Sequence, residues 1–443
     1  MLHYIAQGEY SLLALHQTHP KLYPFLLESV AHSANARFSL LFCYPQERLT
    51  SSILGDKTFL EQLQTAWQQE AIKQDDLSPP LLNHLPFAGG WFVYLGYELA
   101  QSIEPVLNLT ADRQQLPIAC AVRIPVALIV DHHSHTTHLI AEPTYLTEFN
   151  ELKQQLANSL TLKSIDLQTV AMHEDAPEQF IHGVERCKDY IVAGDVFQVN
   201  LSRAWQGHTA LSASTLYQQL RQANPAPFAG IADFGEFSII SSSPERLVRV
   251  SNNIVETRPI AGTRPRSNDE AEDGRLLAEL INHPKERAEH VMLIDLERND
   301  MGRICRYGSI KVDEMMVLES YQHVHHIVSN IRGELAPNIT PSQVLKAVFP
   351  GGTITGCPKV RCMEIIAELE KTGRGAYTGS MGYINHNGAM DFNILIRTLT
   401  LKDQQLVFRT GAGIVMDSIP HNELQETRHK ARGLLRALGH QYA

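Results

Sequence analysis

The chain has 443 residues, of which 44% are hydrophobic and 19% are charged, and its formal net charge is −10. This size and composition predict a folded globular protein, and the acidic balance argues against nucleic acids and anionic membranes as partners, because both bind basic surfaces. No segment approaches the roughly eighteen consecutive apolar residues of a membrane span, and the N-terminus does not resemble a signal peptide, so we expect a cytoplasmic protein. The six cysteines form no CxxC pair, so neither a zinc site nor a disulfide framework is indicated.

Three regions follow one another along the chain. Residues 1–145 are predicted to be rich in strands, with aromatic and β-branched runs such as FAGGWFVYLGYEL and a hairpin over VALIVDHHSHTTHLIAE. Residues 146–175 form a polar connection that begins with a surface helix. Residues 176–443 begin with the amphipathic helix PEQFIHGVERCKDYIVAG, which Gly194 is placed to end, and continue into the strand FQVNLSRAW.

The stretch IVETRPIAGTRPR, Ile254 to Arg266, is predicted to be a strand that runs into a Gly-Thr turn. Farther along, the run DGRLLAELINHPKERAEHVMLIDLERND is helical in composition and places Glu286 and Glu289 three residues apart. A second acidic pair, Glu423 and Glu426, lies on the C-terminal helix HNELQETRHKARGLLRAL. Taken alone, either pair is typical of a solvated helix face.

Two glycine-rich turns add backbone groups that suit an anion. The glycines of FPGGTITGCPKVRCMEII precede a helix that is predicted to begin near Pro358, where free N–H groups point at one position. This turn is not a P-loop, because no Ser or Thr follows Lys359. In RTGAGIVMDS, Gly411 and Gly413 follow an apolar strand, where bare backbone can approach a carboxylate closely.

These motifs occur in the order found in a known family. From about residue 176 to the C-terminus the chain resembles the chorismate-utilising enzymes, through SSSPERLV, RPIAGTRPR, MLIDLERND, HVHHIVS, GGTITGCPKVRCMEII, ILIRTLT, GAGIV and ELQETRHK. Within the family, QVNL, NPAPF, DLERND and MDFNILIRT resemble the aminodeoxychorismate synthases more than the anthranilate synthases. The resemblance implies an α+β fold, an α/β sandwich of two large antiparallel β-sheets packed face to face with helices outside, to which residues 1–145 add strands.

The same resemblance implies a magnesium site and chorismate as the substrate. Glu289 and Glu426 would bind Mg²⁺, with Glu423 in support, and the metal would hold the ring carboxylate of chorismate. Lys430, four residues after Glu426, would add positive charge that balances the substrate dianion. The other carboxylate of chorismate, on the enolpyruvyl group, would be held by three groups: Tyr377, Arg397 and the backbone around Gly413.

A general acid is implied as well. Glu245 would protonate the departing 4-hydroxyl group, helped by His326 and Thr353, because hydroxide is a poor leaving group. Burial beside an apolar ring would keep the Glu245 carboxyl protonated near neutral pH. For His326 taken alone, a structural histidine is the simpler interpretation.

Ala261 departs from the pattern of the aminodeoxychorismate synthases. These enzymes commonly have a lysine at this position, and its amine attacks ring carbon 2, whereas anthranilate synthases have alanine and leave ammonia to attack carbon 2 directly. Two interpretations therefore stay open. The chain forms 4-amino-4-deoxychorismate for p-aminobenzoate and folate synthesis without the lysine, or it forms anthranilate and pyruvate. A non-catalytic regulatory subunit is disfavoured, because the other chemical positions are all retained: Glu245, Glu289, His326, Thr353, Tyr377, Arg397, Glu426 and Lys430.

Two further partners are expected. No cysteine lies in the glycine-rich nucleophile turn of an amidotransferase, so ammonia would come from a separate glutamine amidotransferase subunit or from solution. The segments LLES, residues 26–29, and NPAPF, residues 224–228, resemble the parts of relatives that bind tryptophan. This resemblance implies a small amino-acid pocket at Ser29, Pro227 and Phe228. An ordinary apolar core at these positions is the alternative.

Overall fold

The structure is a computed structural model. It describes residues 1–31, 37–71, 84–157, 161–162, 165, 167–267, 269–320 and 324–440. His323 of the HVHHIVS motif and parts of the predicted connection lie outside these ranges. Within them, no helix is long and apolar enough to cross a membrane. All six cysteines are free thiols.

The described residues form strands and helices that alternate irregularly along the chain. The strands are β1 Leu2–Gln7, β2 Phe25–Glu28, β3 Phe38–Cys43, β4 Arg48–Ser51, β5 Gly90–Leu95, β6 Ala119–Ile124, β7 Val126–Asp131, β8 Thr136–Ala141, β9 Met172–Glu174, β10 Gln198–His208, β11 Phe228–Asp233, β12 Ser238–Ser243, β13 Arg246–Ser251, β14 Ile254–Thr257, β15 Ile260–Pro265, β16 Lys311–Ser320, β17 Val324–Glu334, β18 Gly356–Cys357, β19 Ser380–Asn385, β20 Met390–Asn393, β21 Thr398–Lys402 and β22 Gln405–Ile414. The helices are α1 Leu12–Thr18, α2 Thr58–Glu70, α3 Ala100–Ile103, α4 Leu146–Ala157, α5 Pro177–Val192, α6 Ala213–Ala223, α7 Glu270–Asn282, α8 Pro284–Gly302, α9 Pro341–Val348, α10 Lys359–Glu370 and α11 Pro420–Ala437.

The strands form two antiparallel sheets. The first has 12 strands in the order β1-β8-β7-β3-β2-β11-β12-β21-β22-β10-β18, with β9 beside β10. The second has 10 strands in the order β15-β17-β14-β13-β20-β19-β5-β6-β4, with β16 beside β17. The predicted hairpin is formed by β7 and β8. Strands from residues 1–145 enter both sheets, because β2 pairs with β11 and β5 pairs with β19.

An aromatic layer joins the two sheets. Phe25 of β2 and Phe42 of β3 contact Phe92 of β5, and the rings of Phe25 and Phe92 stack with centroids 4.2 Å apart. Such pairs contribute about 0.5 to 1.5 kcal/mol beyond the burial of their surface. Helices cover the outer faces, where Leu434 of α11 packs on the first sheet and Leu345 of α9 packs on the second. The predicted sandwich of two antiparallel sheets with helices outside is confirmed.

Two local features differ from the sequence prediction. The predicted Gly-Thr turn is an irregular point inside β15, where the register with β17 shifts between Ala261 and Thr263. Gly262 has a φ of +75°, which glycine adopts without strain, so the strand bulges and stays in the sheet. The long helical run is divided into α7 and α8 at His283 and Pro284, because proline cannot continue the hydrogen bonds of α7 but fits the first turn of α8.

Candidate active site

Carboxylates from helices α8 and α11 lie beside the end of strand β22. Glu289 of α8 accepts a 2.7 Å hydrogen bond from Gln198 Nε2. Burial raises the pKa of Glu289, the Gln198 hydrogen bond lowers it, and the negative charges of Glu286 and Glu426 raise it further. These carboxylates repel one another, so a cation between them would lower their energy.

Lys430 adds a positive charge to this acidic group. Its Nζ atom donates to Glu426 Oε1 at 2.8 Å and to the carbonyl oxygen of Gly411 at 2.9 Å. The side chains of Lys430 and Glu426 are 48% and 46% exposed, so water screens the ion pair and it adds little stability. The ammonium group is therefore accessible to an anion.

The donors present fit a hard divalent cation that also needs ligands from elsewhere. Glu289 and Glu426 offer carboxylate oxygens from two helices, and Glu423 stands three residues before Glu426 on α11. Within the described ranges, no group of three or more His, Cys, Asp or Glu side chains is arranged to hold a metal ion by itself. Magnesium commonly takes one or two protein carboxylates and completes its shell with water and substrate, so this donor set suits Mg²⁺.

Two glycines bring strand β22 close to the acidic group. A Cβ atom at Gly411 would lie 2.7 Å from the Tyr377 hydroxyl oxygen. One at Gly413 would lie 2.3 Å from Gln198 Nε2 and 3.6 Å from Glu289 Oε1. Side chains at either position would displace these neighbours, so glycine is required. The bare backbone of β22, the Tyr377 hydroxyl and the Glu289 carboxylate therefore meet in one place.

Glu245 lies between β12 and β13 and is 5% exposed. The Thr353 hydroxyl lies beside the Glu245 carboxyl group, but within the described part of the chain neither Glu245 Oε1 nor this hydroxyl has a hydrogen bond of standard geometry. Burial raises the pKa of Glu245 to about 7, the nearby Thr353 hydroxyl favours the charged form, and the negative charge of Glu297 opposes it. A carboxyl group that is half protonated at neutral pH and faces unused hydrogen-bonding capacity has the properties of a general acid.

Arg397 and His326 surround this carboxyl group. Burial lowers the pKa of Arg397 and the charge of Glu245 raises it. Arg397 is partly buried, and no acceptor among the described residues hydrogen-bonds its guanidinium, so an anionic ligand could pair with this charge. Burial and the charge of Arg397 lower the pKa of His326 to about 3, which leaves its imidazole neutral, and the backbone at Gly262 hydrogen-bonds it.

Ala261 is 5% exposed on β15 and pairs with Ile327 of β17. The neighbouring Gly262 is packed against helix α8, because a Cβ atom there would lie 2.8 Å from Glu286 Oε2. Position 261 is thus buried next to the backbone that meets His326. Its methyl group offers no nucleophile.

The chain matches the family model for chorismate binding enzymes over residues 25–436. The chain belongs to the chorismate-binding enzyme family. It is 43% identical over 364 residues to aminodeoxychorismate synthase component 1 of Bacillus subtilis, and this match covers 80% of the chain and 77% of that protein. It is 39% identical over 428 residues to anthranilate synthase component 1 of Thermus thermophilus, and this match covers 94% of the chain and 92% of that protein.

A solved structure of the family supports the same assignment. Anthranilate synthase component I from Streptococcus pneumoniae superposes with a TM-score of 0.81 at 34% identity, and the match covers 91% of this chain and 93% of that one. The resemblance seen in the sequence is therefore confirmed, and the chain is a chorismate-utilising enzyme. The relatives named aminodeoxychorismate synthase component 1 and anthranilate synthase component 1 have similar identities to it, 43% and 39%.

A cavity of about 330 Å³ lies between the sheets of this chorismate-binding enzyme. Ser29, Pro227 and Phe228 all line it, and Ser29 Oγ donates to the Pro227 carbonyl oxygen at 3.3 Å. Arg246 stands over the Phe228 ring at 4.9 Å and pairs with Asp391 at 2.9 Å. The cavity combines apolar surface with charged groups at its edge, a combination that small zwitterionic ligands use.

The structure sorts the predicted positions into three places. The first place is beside β22, where the carboxylates of Glu289 and Glu426 lie near Lys430, Tyr377 and Gly413. Glu423 is on the same helix as Glu426. The group around Glu245 contains Thr353, Arg397 and His326, with Ala261 nearby on β15. Lys430 joins the two groups, because its charge acts on both Glu289 and Glu245. Ser29, Pro227 and Phe228 line the separate cavity.

Sequence reasoning missed three polar side chains in this region. In the sequence, Gln198 was noted only as part of the QVNL motif, which resembles the aminodeoxychorismate synthases. In the structure its Nε2 donates to Glu289, and its Oε1 is buried without a hydrogen-bond partner within the described residues. Asn200 Oδ1 lies 2.7 Å from the Cβ position of Gly411. Alternation along β10 puts Gln198 and Asn200 on the same face of the strand, and Asn200 lies opposite Gly413 of β22. This alternation is the signal that indicates both residues. Glu297 is the third, and its helical run contains several glutamates, so the pattern does not single it out.

Proposed function

We propose that this enzyme aminates chorismate to 4-amino-4-deoxychorismate, with ammonia from a glutamine amidotransferase partner. The observation that carries the proposal is a buried carboxyl group with a pKa of about 7, Glu245, beside a partly buried cation, Arg397, whose guanidinium has no hydrogen bond within the described residues. Such a pair can hold one substrate anion while it donates a proton to a leaving group. The relative from Bacillus subtilis supports the 4-amino product by its name.

Substrate binding would use both groups of side chains. Glu289 and Glu426, supported by Glu423, would bind Mg²⁺, which when bound neutralises and orients the ring carboxylate. The second carboxylate of chorismate would accept hydrogen bonds from the groups that lack a protein partner or lie along β22: Arg397, Tyr377 and the backbone of Gly413. Lys430 would offset the remaining negative charge.

The proton step would belong to Glu245. Its protonated carboxyl group would donate to the 4-hydroxyl oxygen as the carbon–oxygen bond breaks, so that water leaves rather than hydroxide. The Thr353 hydroxyl, which has no hydrogen bond of standard geometry in the described structure, would orient that oxygen. His326 is neutral, so it would act by hydrogen bonding and not by its charge.

The alanine at position 261 constrains the order of bond formation. Ammonia would attack ring carbon 4 directly, or a small nucleophile would first add at carbon 2 and leave again when ammonia enters at carbon 4. In either order chorismate and ammonia yield 4-amino-4-deoxychorismate and water. A separate lyase would then form p-aminobenzoate.

Incubation with chorismate should therefore leave the mass of the chain unchanged. Ala261 offers no amine, so no covalent adduct can form at this position. Intact-protein mass spectrometry after turnover, quenched in acid, tests this expectation. The variant Ala261→Lys is the comparison, since it restores an amine at this position. An adduct on the wild-type chain would show that another residue supplies the nucleophile.

Anthranilate formation is the second candidate, and Ala261 is the observation that favours it. Ammonia attack at carbon 2 needs no lysine, and the same general acid would serve. The deciding experiment incubates the purified chain with chorismate, an ammonium salt and Mg²⁺, and identifies the products by liquid chromatography and mass spectrometry. We expect 4-amino-4-deoxychorismate. Anthranilate and pyruvate as main products would overturn the proposal in favour of an anthranilate synthase.

We also propose that the cavity at Ser29, Pro227 and Phe228 holds tryptophan. Its volume of about 330 Å³ and its mixed lining suit a large amino acid. Isothermal titration calorimetry should detect binding, or mass spectrometry of the denatured protein should detect tryptophan retained from purification. The variant Ser29→Phe, which adds a ring to the cavity lining, should remove the signal. If neither method finds tryptophan in the wild-type chain, the cavity is ordinary internal space.

A further inference from the structure

A second buried carboxyl group, Glu297, lies behind the candidate general acid and has no role in the steps above. It follows Glu289 by about two turns of α8 and is 3% exposed. Its Oε1 atom accepts a hydrogen bond from Gly352 N at 3.3 Å, and its Oε2 atom accepts one from Thr257 Oγ1 at 3.2 Å. Gly352 begins the 3₁₀ turn that contains Thr353, so Glu297 is attached to that turn.

The packing at Gly352 leaves this turn little freedom. A Cβ atom at Gly352 would lie 2.4 Å from Leu296 Cδ2 and 3.2 Å from Glu297 Oε1, so helix α8 rests directly on the backbone of the turn. The hydroxyl of Thr355 closes the turn from within by donating to the Gly351 carbonyl oxygen at 3.0 Å. Helix α8 thereby sets where the middle residue of the turn stands.

Glu297 also acts on its surroundings through charge. Burial raises its pKa to about 7, the negative charge of Asp300 raises it and the positive charge of Lys359 lowers it. Asp300 and Lys359 form an ion pair with each other. The charge of Glu297 in turn raises the pKa of Glu245. The cations that face Glu245 have the opposite effect, and they are Arg397 and Lys430.

We propose that Glu297 is a positioning residue for the acid step: it holds the turn so that Thr353 faces Glu245, and its negative charge keeps the proton on Glu245. The inference rests on the proposed function, because the proton on Glu245 matters for the departure of the 4-hydroxyl group. Two buried carboxyl groups that interact in this way release their protons in separate steps. Removal of Glu297 leaves Glu245 to titrate alone and at lower pH.

The test compares Glu297→Gln with the wild-type chain and with Asp295→Asn. Glutamine keeps the volume of Glu297 and one acceptor but removes the charge, whereas Asp295 is an exposed residue of the same helix that pairs with Arg298 at 3.0 Å. With chorismate and ammonia, we expect Glu297→Gln to be near wild type at pH 6 and roughly threefold slower at pH 8, the effect of a midpoint lowered by about half a pH unit. Asp295→Asn should keep the wild-type pH profile.

A second measurement needs no turnover. In protein labelled with carbon-13 at the glutamate carboxyl carbon, Glu245 is the resonance that Glu245→Gln removes. Its midpoint should move to lower pH in Glu297→Gln. Should that variant fail to fold, Thr257→Val removes one donor to Glu297 and keeps Glu297 neutral to higher pH, so it should give a smaller shift in the same direction.

The outcomes separate the two proposals. An unchanged Glu245 midpoint in a folded variant, or an equal loss of rate at every pH, overturns the role of Glu297. A wild-type chain that leaves chorismate unchanged overturns the proposed function, and the carbon-13 midpoint then still decides whether the charge of Glu297 acts on Glu245.

Discussion

The variant Glu289→Gln should lower the rate of chorismate amination by about three orders of magnitude. An amide offers Mg²⁺ no anionic oxygen, and the substrate dianion loses part of its neutralisation. Glu426→Gln should have an effect of similar size, because Glu426 approaches the same place from α11 and its charge acts on Glu289. Rates should be measured with an ammonium salt, so that no amidotransferase partner is needed.

Glu272→Gln is a matched control for this experiment. Glu272 is a 43% exposed glutamate on α7 that pairs with Arg275 at 2.6 Å, outside both groups of the candidate site. Its variant should keep wild-type activity. Excess chelator should reproduce the loss in the wild-type chain, and added Mg²⁺ should reverse it. Normal activity of Glu289→Gln, or turnover that persists in the chelator, would exclude Glu289 as a metal ligand.

The variant Glu245→Gln should lower kcat by about two to four orders of magnitude, the usual contribution of a general acid. The wild-type rate should decline as the pH rises through about 7, because the carboxyl group then loses the proton that it must donate. The residual rate of the glutamine variant should lack this decline. A variant that retains the wild-type kcat and pH profile would assign the acid role to another group.

The pH dependence of the free energy of unfolding should also change in the variant Glu245→Gln. The pKa of Glu245 is raised in the folded chain, so its contribution to the free energy of unfolding is fully present below its ordinary value of 4.5 and is lost as the pH rises towards about 7. Glutamine has no charge to bury. Relative to wild type, Glu245→Gln should therefore gain stability as the pH rises from 4.5 to about 7, the range of that loss. Denaturant unfolding at several pH values can measure this gain.

The sequence was sufficient to predict those parts of the fold that repeat local patterns. The hairpin of β7 and β8 and the helices α5 and α11 follow from alternation, apolar spacing and glycine or proline at their ends. The bulge at Gly262 was not predictable in this way, because an Ala-Gly-Thr segment suits a turn as well as a strand. Only the pairing of β15 with β17, far along the chain, determines which forms.

The candidate site was likewise predictable only in part from the sequence. The pairs of glutamates on α8 and α11 can be found by helical spacing, but their approach depends on where the helices pack against β22. The burial of Glu245 and its coupling to Glu297 depend on the fold of segments about fifty residues apart, so no local pattern contains them. The pKa of a side chain is set by its neighbours in space.

Strands β2 and β5 come from residues 1–145, and they pair with β11 over four positions and with β19 over six. A protein cut between residues 145 and 176 would therefore consist of two fragments, each presenting sheet edges that the other completes. Apart, each fragment would present unpaired backbone groups that favour aggregation. Together, they would bind with the same contacts that fold the intact chain. The sandwich is thus a candidate for split-protein complementation, with recovery of chorismate turnover as the signal of reassembly.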